Sequence, residues 1–201
     1  MSPIKSICVF CGSSSGSNPV YSEKAISLGK LFAEKNISLV YGGSNVGLMR
    51  EIADTMLEAG GKVIGVMPHN LIDREVAHKG LTEFHVVSTM AERKAIMDEL
   101  SDAFIAMPGG VGTLDELFEM MSWNQLDIIN KPVALFNVLG YYDLLLSFLE
   151  HSVDQRFMKP EHLTNLISES DENILLDMIN NFKPVKVDGG KWIKELTENK
   201  Y

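Results

Sequence analysis

Residues 103–123 read AFIAMPGGVGTLDELFEMMSW. An apolar run stops at Pro108. Three glycines follow within four residues, then Thr113 and two adjacent acids, Asp115 and Glu116, as a helical pattern begins. Glycine permits positive φ and a close backbone approach to a ligand, and a helix N-terminus offers free N–H groups at the positive end of its dipole. Such a turn suits a phosphate. Carboxylates beside bound phosphate are repelled by it, so the acids need a reason of their own. One is structural: T-L-D-E over 113–116 has the form of a capping box, with Thr113 as the cap and Glu116 reaching back to it. The other is chemical: an acid set to work on a bond next to the phosphate. The two acids lie about 100° apart around a helix, so they cannot both face a ligand. Glu116 is expected inward and Asp115 outward. A second cluster, STMAERK over 88–94, sets Arg93 and Lys94 early in another helical pattern. Cations there oppose the helix dipole, and a pair of them at a strand exit fits anion binding.

The elements that must position these groups alternate along the chain. Strands are expected over 4–10, 37–43, 62–68, 83–87, 102–107, 132–137 and 163–168. Helices are expected over 19–35, 46–61, 89–100, 113–129, 141–153 and 171–181, and 69–82 reads as irregular. Alternating β and α elements predict an α/β, Rossmann-like, doubly wound parallel sheet with helices on both faces, in a single domain. That domain spans 1–182, with an irregular tail over 183–201. Ligands of such sheets bind outside the carboxyl ends of the strands, where strand order reverses. The exits include CGSSSG (11–16), GGSNVG (42–47) and PGGVGT (108–113), three small-residue loops at one edge. GGSNVG lacks the middle glycine of G-x-G-x-x-G, PGGVGTLD lacks the last, and no G-x-x-x-x-G-K-[ST] occurs, so a redox dinucleotide and a nucleoside triphosphate are unsupported.

Composition narrows the partners. With 18 basic and 27 acidic residues in 201, the chain carries a net charge of −9. It has no basic block to hold nucleic acid or an anionic membrane. No apolar run reaches the roughly 18 residues of a membrane span. The start, MSPIKSICVFCGSSSG, reads as the first strand and not as a signal peptide, so a cytoplasmic protein is expected. Cys8 and Cys11 form C-x-x-C, but no second pair of ligands accompanies them as a zinc site requires. Three apart on a strand, they face opposite sides and read as core residues.

PGGVGTLDE (108–116), ERKAIM (92–97), YGGSNVGLM (41–49) and CVFCGSSSG (8–16) together resemble the Lonely Guy (LOG) family, the cytokinin nucleotide phosphoribohydrolases long mislabelled lysine decarboxylases. The resemblance runs from about residue 5 to 180. The family pattern P-G-G-x-G-T-x-x-E, with its upstream R-K pair, is matched in full. It implies a homodimer that needs no cofactor or metal and cleaves the N-glycosidic bond of an N6-modified adenosine 5′-monophosphate, releasing free base and ribose 5-phosphate. By position, it implies catalytic roles for Arg93 and Glu116. It further implies nucleotide or phosphate contacts at Gly43, Glu75, Lys94, Gly109, Gly110, Val111, Gly112, Thr113 and Ser122. The chain departs from the family at Ala91, where histidine is usual, and at Ser44 and Arg50, where glycines are usual. Two other readings stand beside this one: an AMP nucleosidase with no cytokinin role, and a nucleotide carrier that does not cleave its ligand. Met90, Met97, Leu117, Phe118, Met120 and Met121 make the 89–100 and 113–129 helices apolar beyond the apparent need of one sheet face, and an interface there is expected.

Overall fold

A computed structural model describes residues 4–72 and 76–186. Seven strands form one sheet: β1 (Ser6–Phe10), β2 (Ser38–Tyr41), β3 (Val63–Pro68), β4 (Glu83–Val87), β5 (Ala103–Ala106), β6 (Val133–Phe136) and β7 (Leu166–Glu169). Their spatial order is β4-β3-β2-β1-β5-β6-β7, and every neighbouring pair is parallel. The chain winds outward from β1 in one direction through β4, then returns to β5 on the other side of β1. That reversal is the switch point at which α/β sheets open a crevice.

Both faces are covered, which is why the central strands are apolar at nearly every position. On one face Ile7, Val9 and Cys11 pack with residues of α1 (Val20–Glu34), α2 (Gly47–Glu58) and α7 (Glu172–Asn180). On the other, Cys8 and Phe10 pack beneath α3 (Met90–Glu99), α4 (Val111–Gln125) and α5 (Asp143–Asp154). The two cysteines thus divide between the faces as their spacing requires. Met97, Leu117 and Met120 are core residues of this second layer, so only part of the apolar surface of α3 and α4 is left over. Among the described residues, no helix is long and apolar enough to cross a membrane.

Two boundaries differ from expectation in ways that matter. The stretch expected as a strand over 163–168 divides into a short helix α6 (Pro160–Thr164) and then β7. Pro160 sits in the first turn of α6, where its fixed φ favours a helix start, and Leu163 packs on the core as a helical residue. Second, α4 begins at Val111 and not at 113. Its N-cap is the extended Gly110, with no side-chain cap, so Thr113 lies inside the helix and is 4% exposed. The capping box over 113–116 does not form. Asp115 and Glu116 therefore fall in the second turn, where no capping duty accounts for them. Residues 183–186 carry no regular structure, yet Asn165 holds Val185 through both of its backbone groups, at 2.8 and 3.0 Å.

The α1–α7 contact is fastened by a partly buried carboxylate. Glu172 takes Lys24 at 2.7 Å and a short hydrogen bond from the Ser27 hydroxyl. Burial raises the pKa of Glu172, but the hydrogen bonds from Lys24 and Ser27 outweigh it and the net shift is downward. A depressed carboxylate contributes stability above its unfolded pKa and loses it as pH falls through the folded one. Glu172→Gln should therefore lower stability by about 1–2 kcal/mol at neutral pH, a drop of a few degrees in Tm. The gap to wild type should close as pH drops below the ordinary glutamate range. Thermal melts of both proteins from pH 7 to pH 3 check this.

Candidate functional site

At the switch point the β1–α1 and β5–α4 loops part company. Met107 N–H still donates to the Phe10 carbonyl at 2.8 Å, and Gly12 N–H donates to the Pro108 carbonyl at 3.0 Å. Beyond that bond the backbones diverge. Gly109 is where they press together: a Cβ there would lie 2.1 Å from Thr113 Oγ1 and 2.9 Å from Gly12 N. Only glycine fits. The first hydrogen bond of α4 runs from Leu114 N–H to the Gly110 carbonyl at 3.1 Å, so the N–H groups of Val111, Gly112 and Thr113 precede the helical ladder. The space in front of them is open. Added Cβ atoms on Gly110 and Gly112 would meet nothing within 4 Å, and Val111 is 84% exposed. The five residues 109–113 thus form an uncrowded turn at the positive end of a fifteen-residue helix, a candidate anion seat.

Arg93 enters from α3. The cap of that helix is a real one: Thr89 Oγ1 accepts from Glu92 N–H at 3.1 Å, and the Glu92 carboxylate accepts from Ser88 N–H at 2.7 Å. The T-x-x-E pattern that fails at 113–116 succeeds at 89–92. It sets Arg93 on the inner face, 6% exposed, with Nε donating to the Val66 carbonyl at 3.0 Å and Nη2 to the Gly42 carbonyl at 3.1 Å. A Cβ on Gly42 would lie 2.2 Å from Nη2, so glycine at the exit of β2 makes room for the guanidinium. The carbonyls satisfy donors without neutralising the charge. Glu116 supplies negative charge nearby. Burial pushes the Cys8 and Cys11 thiols up, and the Glu116 carboxylate pushes both further, while Arg93 pulls Cys8 down. Two opposite charges, one from each helix, thus act on the same strand at the foot of the crevice.

The neighbouring pair joins the two helices. Lys94 Nζ bridges Asp115 at 3.2 Å and Glu119 at 2.5 Å. Its burial lowers the pKa, and the two carboxylates raise it by more. Lys94 therefore cross-links α3 to α4, and it is this pairing that holds it in the structure. Asp115 is an exposed partner in that link and Glu116 is half-buried. Gly43 is buried in the β2–α2 turn, where its carbonyl accepts from His78 N–H at 2.9 Å, two strand positions from β5. Ser122 is exposed, eleven residues beyond Val111 and so about 16 Å along the helix from the anion seat. Glu75 lies outside the described residues. Of the departures from the family pattern, Ser44 is fully buried and Ala91 and Arg50 are exposed.

A cavity of about 320 Å³ lies at the opposite, amino-terminal edge, bounded by Met121, Met158, His162, Leu166 and Pro184. None of the chemistry above faces it. Sequence reasoning missed two groups in the crevice wall. Tyr141 and Tyr142, just past β6, donate their hydroxyls to the carbonyls of Gly109 and Met107 at 2.7 and 2.6 Å. The only signal was their position at a strand exit.

Comparison with known proteins agrees with this geometry. Residues 49–179 match the family described as "Possible lysine decarboxylase". The chain is 45% identical over 184 residues to a rice (Oryza sativa subsp. japonica) protein named "Probable cytokinin riboside 5'-monophosphate phosphoribohydrolase", covering 92% of this chain and 81% of that one. It is 44% identical, with the same coverage, to a cytokinin riboside 5'-monophosphate phosphoribohydrolase of Arabidopsis thaliana. Among solved structures, the molybdenum cofactor carrier protein of Chlamydomonas reinhardtii superposes with a TM-score of 0.67 at 22% identity over 88% of this chain and 96% of that one, a likeness of fold. With relatives this similar along nearly its whole length and a matching family model, the chain belongs to the LOG family.

Proposed function

We propose that this protein is a phosphoribohydrolase that cleaves the N-glycosidic bond of cytokinin riboside 5′-monophosphates, working in the cytoplasm as a homodimer. The observation that carries the reading is that Arg93 and Glu116, of opposite charge, both act on Cys8 beside an open helix N-terminus. The anion seat over 109–113 binds the 5′-phosphate through backbone N–H groups and the α4 dipole. As the C1′–N9 bond breaks, positive charge develops on the ribosyl centre, and the Glu116 carboxylate stabilises it. Water adds to C1′, the base leaves with a proton, and ribose 5-phosphate remains. Arg93, held by the Val66 and Gly42 carbonyls, supplies a fixed positive charge on the Glu116 side of the crevice. The retention of both charges favours an enzyme over a carrier. Plain AMP cleavage is the narrower alternative, and assaying free base from AMP and isopentenyl-AMP side by side separates the two.

For the dimer, Phe118 and Met90 stay exposed on α4 and α3, and Ser122 lies one turn beyond Phe118. An interface on this face would carry Ser122 toward a second copy. Sedimentation at micromolar concentration should show a dimer; a monomer alone would refute this assembly.

Glu116 is the sharpest test. With no capping box to lose, Glu116→Gln should melt near the wild-type temperature and bind AMP within a few-fold, while kcat drops about 10²- to 10³-fold. Activity close to wild type would remove Glu116 from the chemistry. Asp115→Asn breaks only an exposed pair worth about 0–1 kcal/mol and should keep most activity. Remote phosphate binding assists the reacting centre, so kcat/KM for AMP should exceed that for adenosine by orders of magnitude. Equal values would show that the anion seat does not serve the reaction.

A further inference from the structure

The β5–α4 turn carries three consecutive carbonyls, those of Met107, Pro108 and Gly109, on the approach to the anion seat. Oxygen lone pairs facing a phosphate would repel it. Each carbonyl is instead engaged by a donor from outside the turn. Tyr142 Oη donates to Met107 at 2.6 Å, Gly12 N–H to Pro108 at 3.0 Å, and Tyr141 Oη to Gly109 at 2.7 Å. The last matters most. The described chain has no cis peptide, and in a trans peptide the C=O and N–H point in opposite directions. Holding the Gly109 oxygen therefore fixes where the Gly110 N–H points. The hydrogen bond also polarises that peptide and strengthens its N–H as a donor. Glycines at 109 and 110 would otherwise leave this peptide free to rotate.

The two tyrosines are well placed to do this. Asn137 Oδ1 accepts from Tyr142 N–H at 2.7 Å, and its Nδ2 donates to Asp143 at 2.8 Å, fixing the β6–α5 turn. Tyr142 is 1% exposed. The Tyr141 ring stands edge-on to Tyr142, with centroids 5.0 Å apart, and to Tyr21 at 6.0 Å. Tyr21 lies against Gly16 of the β1–α1 loop, where a Cβ would come within 2.8 Å of its ring. Three rings thus brace both loops of the switch point from the side away from the sheet centre.

We propose that Tyr141 is a positioning residue of the anion seat, its hydroxyl holding the Gly109 carbonyl so that the Gly110 N–H is turned toward the 5′-phosphate, with Tyr142 anchoring the root of the same turn. This rests on the reading that the α4 N-terminus takes the phosphate. Tyr141→Phe tests it, because it deletes one exposed hydroxyl and keeps the ring. Calorimetric titration with ribose 5-phosphate and with inorganic phosphate should show affinity reduced about five- to tenfold. KM for AMP should rise in parallel, with kcat changed less than about threefold, Tm within about 2 °C of wild type, and turnover of adenosine unaltered. Tyr142→Phe should raise KM likewise but also lower Tm, since its hydroxyl is buried. Undiminished ribose 5-phosphate binding by Tyr141→Phe would overturn the proposal, and so would a fall in kcat at constant KM. Wild-type protein that fails to bind ribose 5-phosphate would overturn it too. Wild-type protein that binds ribose 5-phosphate but releases no base would sink the hydrolase reading alone, and the loss on Tyr141→Phe would still support the positioning role.

Discussion

The hydrogen bond from Gly12 N–H to the Pro108 carbonyl is the last link between β1 and β5 before their loops separate, and the crevice exists because it is the last. Up to that point the two strands share a parallel ladder. Past it, one loop turns toward α1 and the other toward α4, with Gly109 packed against Gly12 and Thr113 at the parting. A bulkier residue there would push Thr113 and Gly12 apart and move the start of α4. The helix dipole, the free N–H groups and the second-turn carboxylate would move with it. The orientation of the whole site therefore depends on two backbones lying in contact where only a glycine permits it.

Charge is sorted around α3 and α4 with similar economy. Residues adjacent in sequence take different places: Arg93 is buried and Glu116 half-buried, while Lys94 ties α3 to the exposed Asp115 and to Glu119 on α4. The outer link holds the two helices together without placing an uncompensated charge in the core. Arg93, 6% exposed, is set where electrostatic forces are strong. The same arrangement silences the C-x-x-C motif. Burial and the Glu116 carboxylate both oppose thiolate formation at Cys8 and Cys11. A thiol held neutral is a poor nucleophile and a poor metal ligand.

Much of this was legible in the sequence because it rests on periodicity and on residue type. Strand-helix alternation gave the doubly wound sheet, and the positions of Arg93 and Glu116 after two strands brought them to one edge. What failed has local causes. T-x-x-E occurs at both 89–92 and 113–116, and pattern alone does not show that glycine caps the second helix two residues earlier. Lys94 could be read as a cation at a strand exit, but not as the tie to Asp115 and Glu119 across two helices. Pro160 turned an apparent long strand into a helix and a shorter strand. Tyr141 and Tyr142 act through backbone carbonyls, contacts that leave no spacing rule behind.

Because α4 carries both the proposed anion seat and Glu116, the helix is a ruler. Five residues separate Val111 from Glu116, about 7.5 Å along the axis, and a hydrogen-bonded helix cannot stretch. On the proposed function, the span between the phosphate and the carboxylate that meets the sugar would be fixed by backbone geometry, whatever lies beyond the sugar. Such a site would be strict about a pentose phosphate and tolerant of what is attached to it. Substitutions off that helix, such as those at the exposed Ala91 and Arg50, leave this length unchanged.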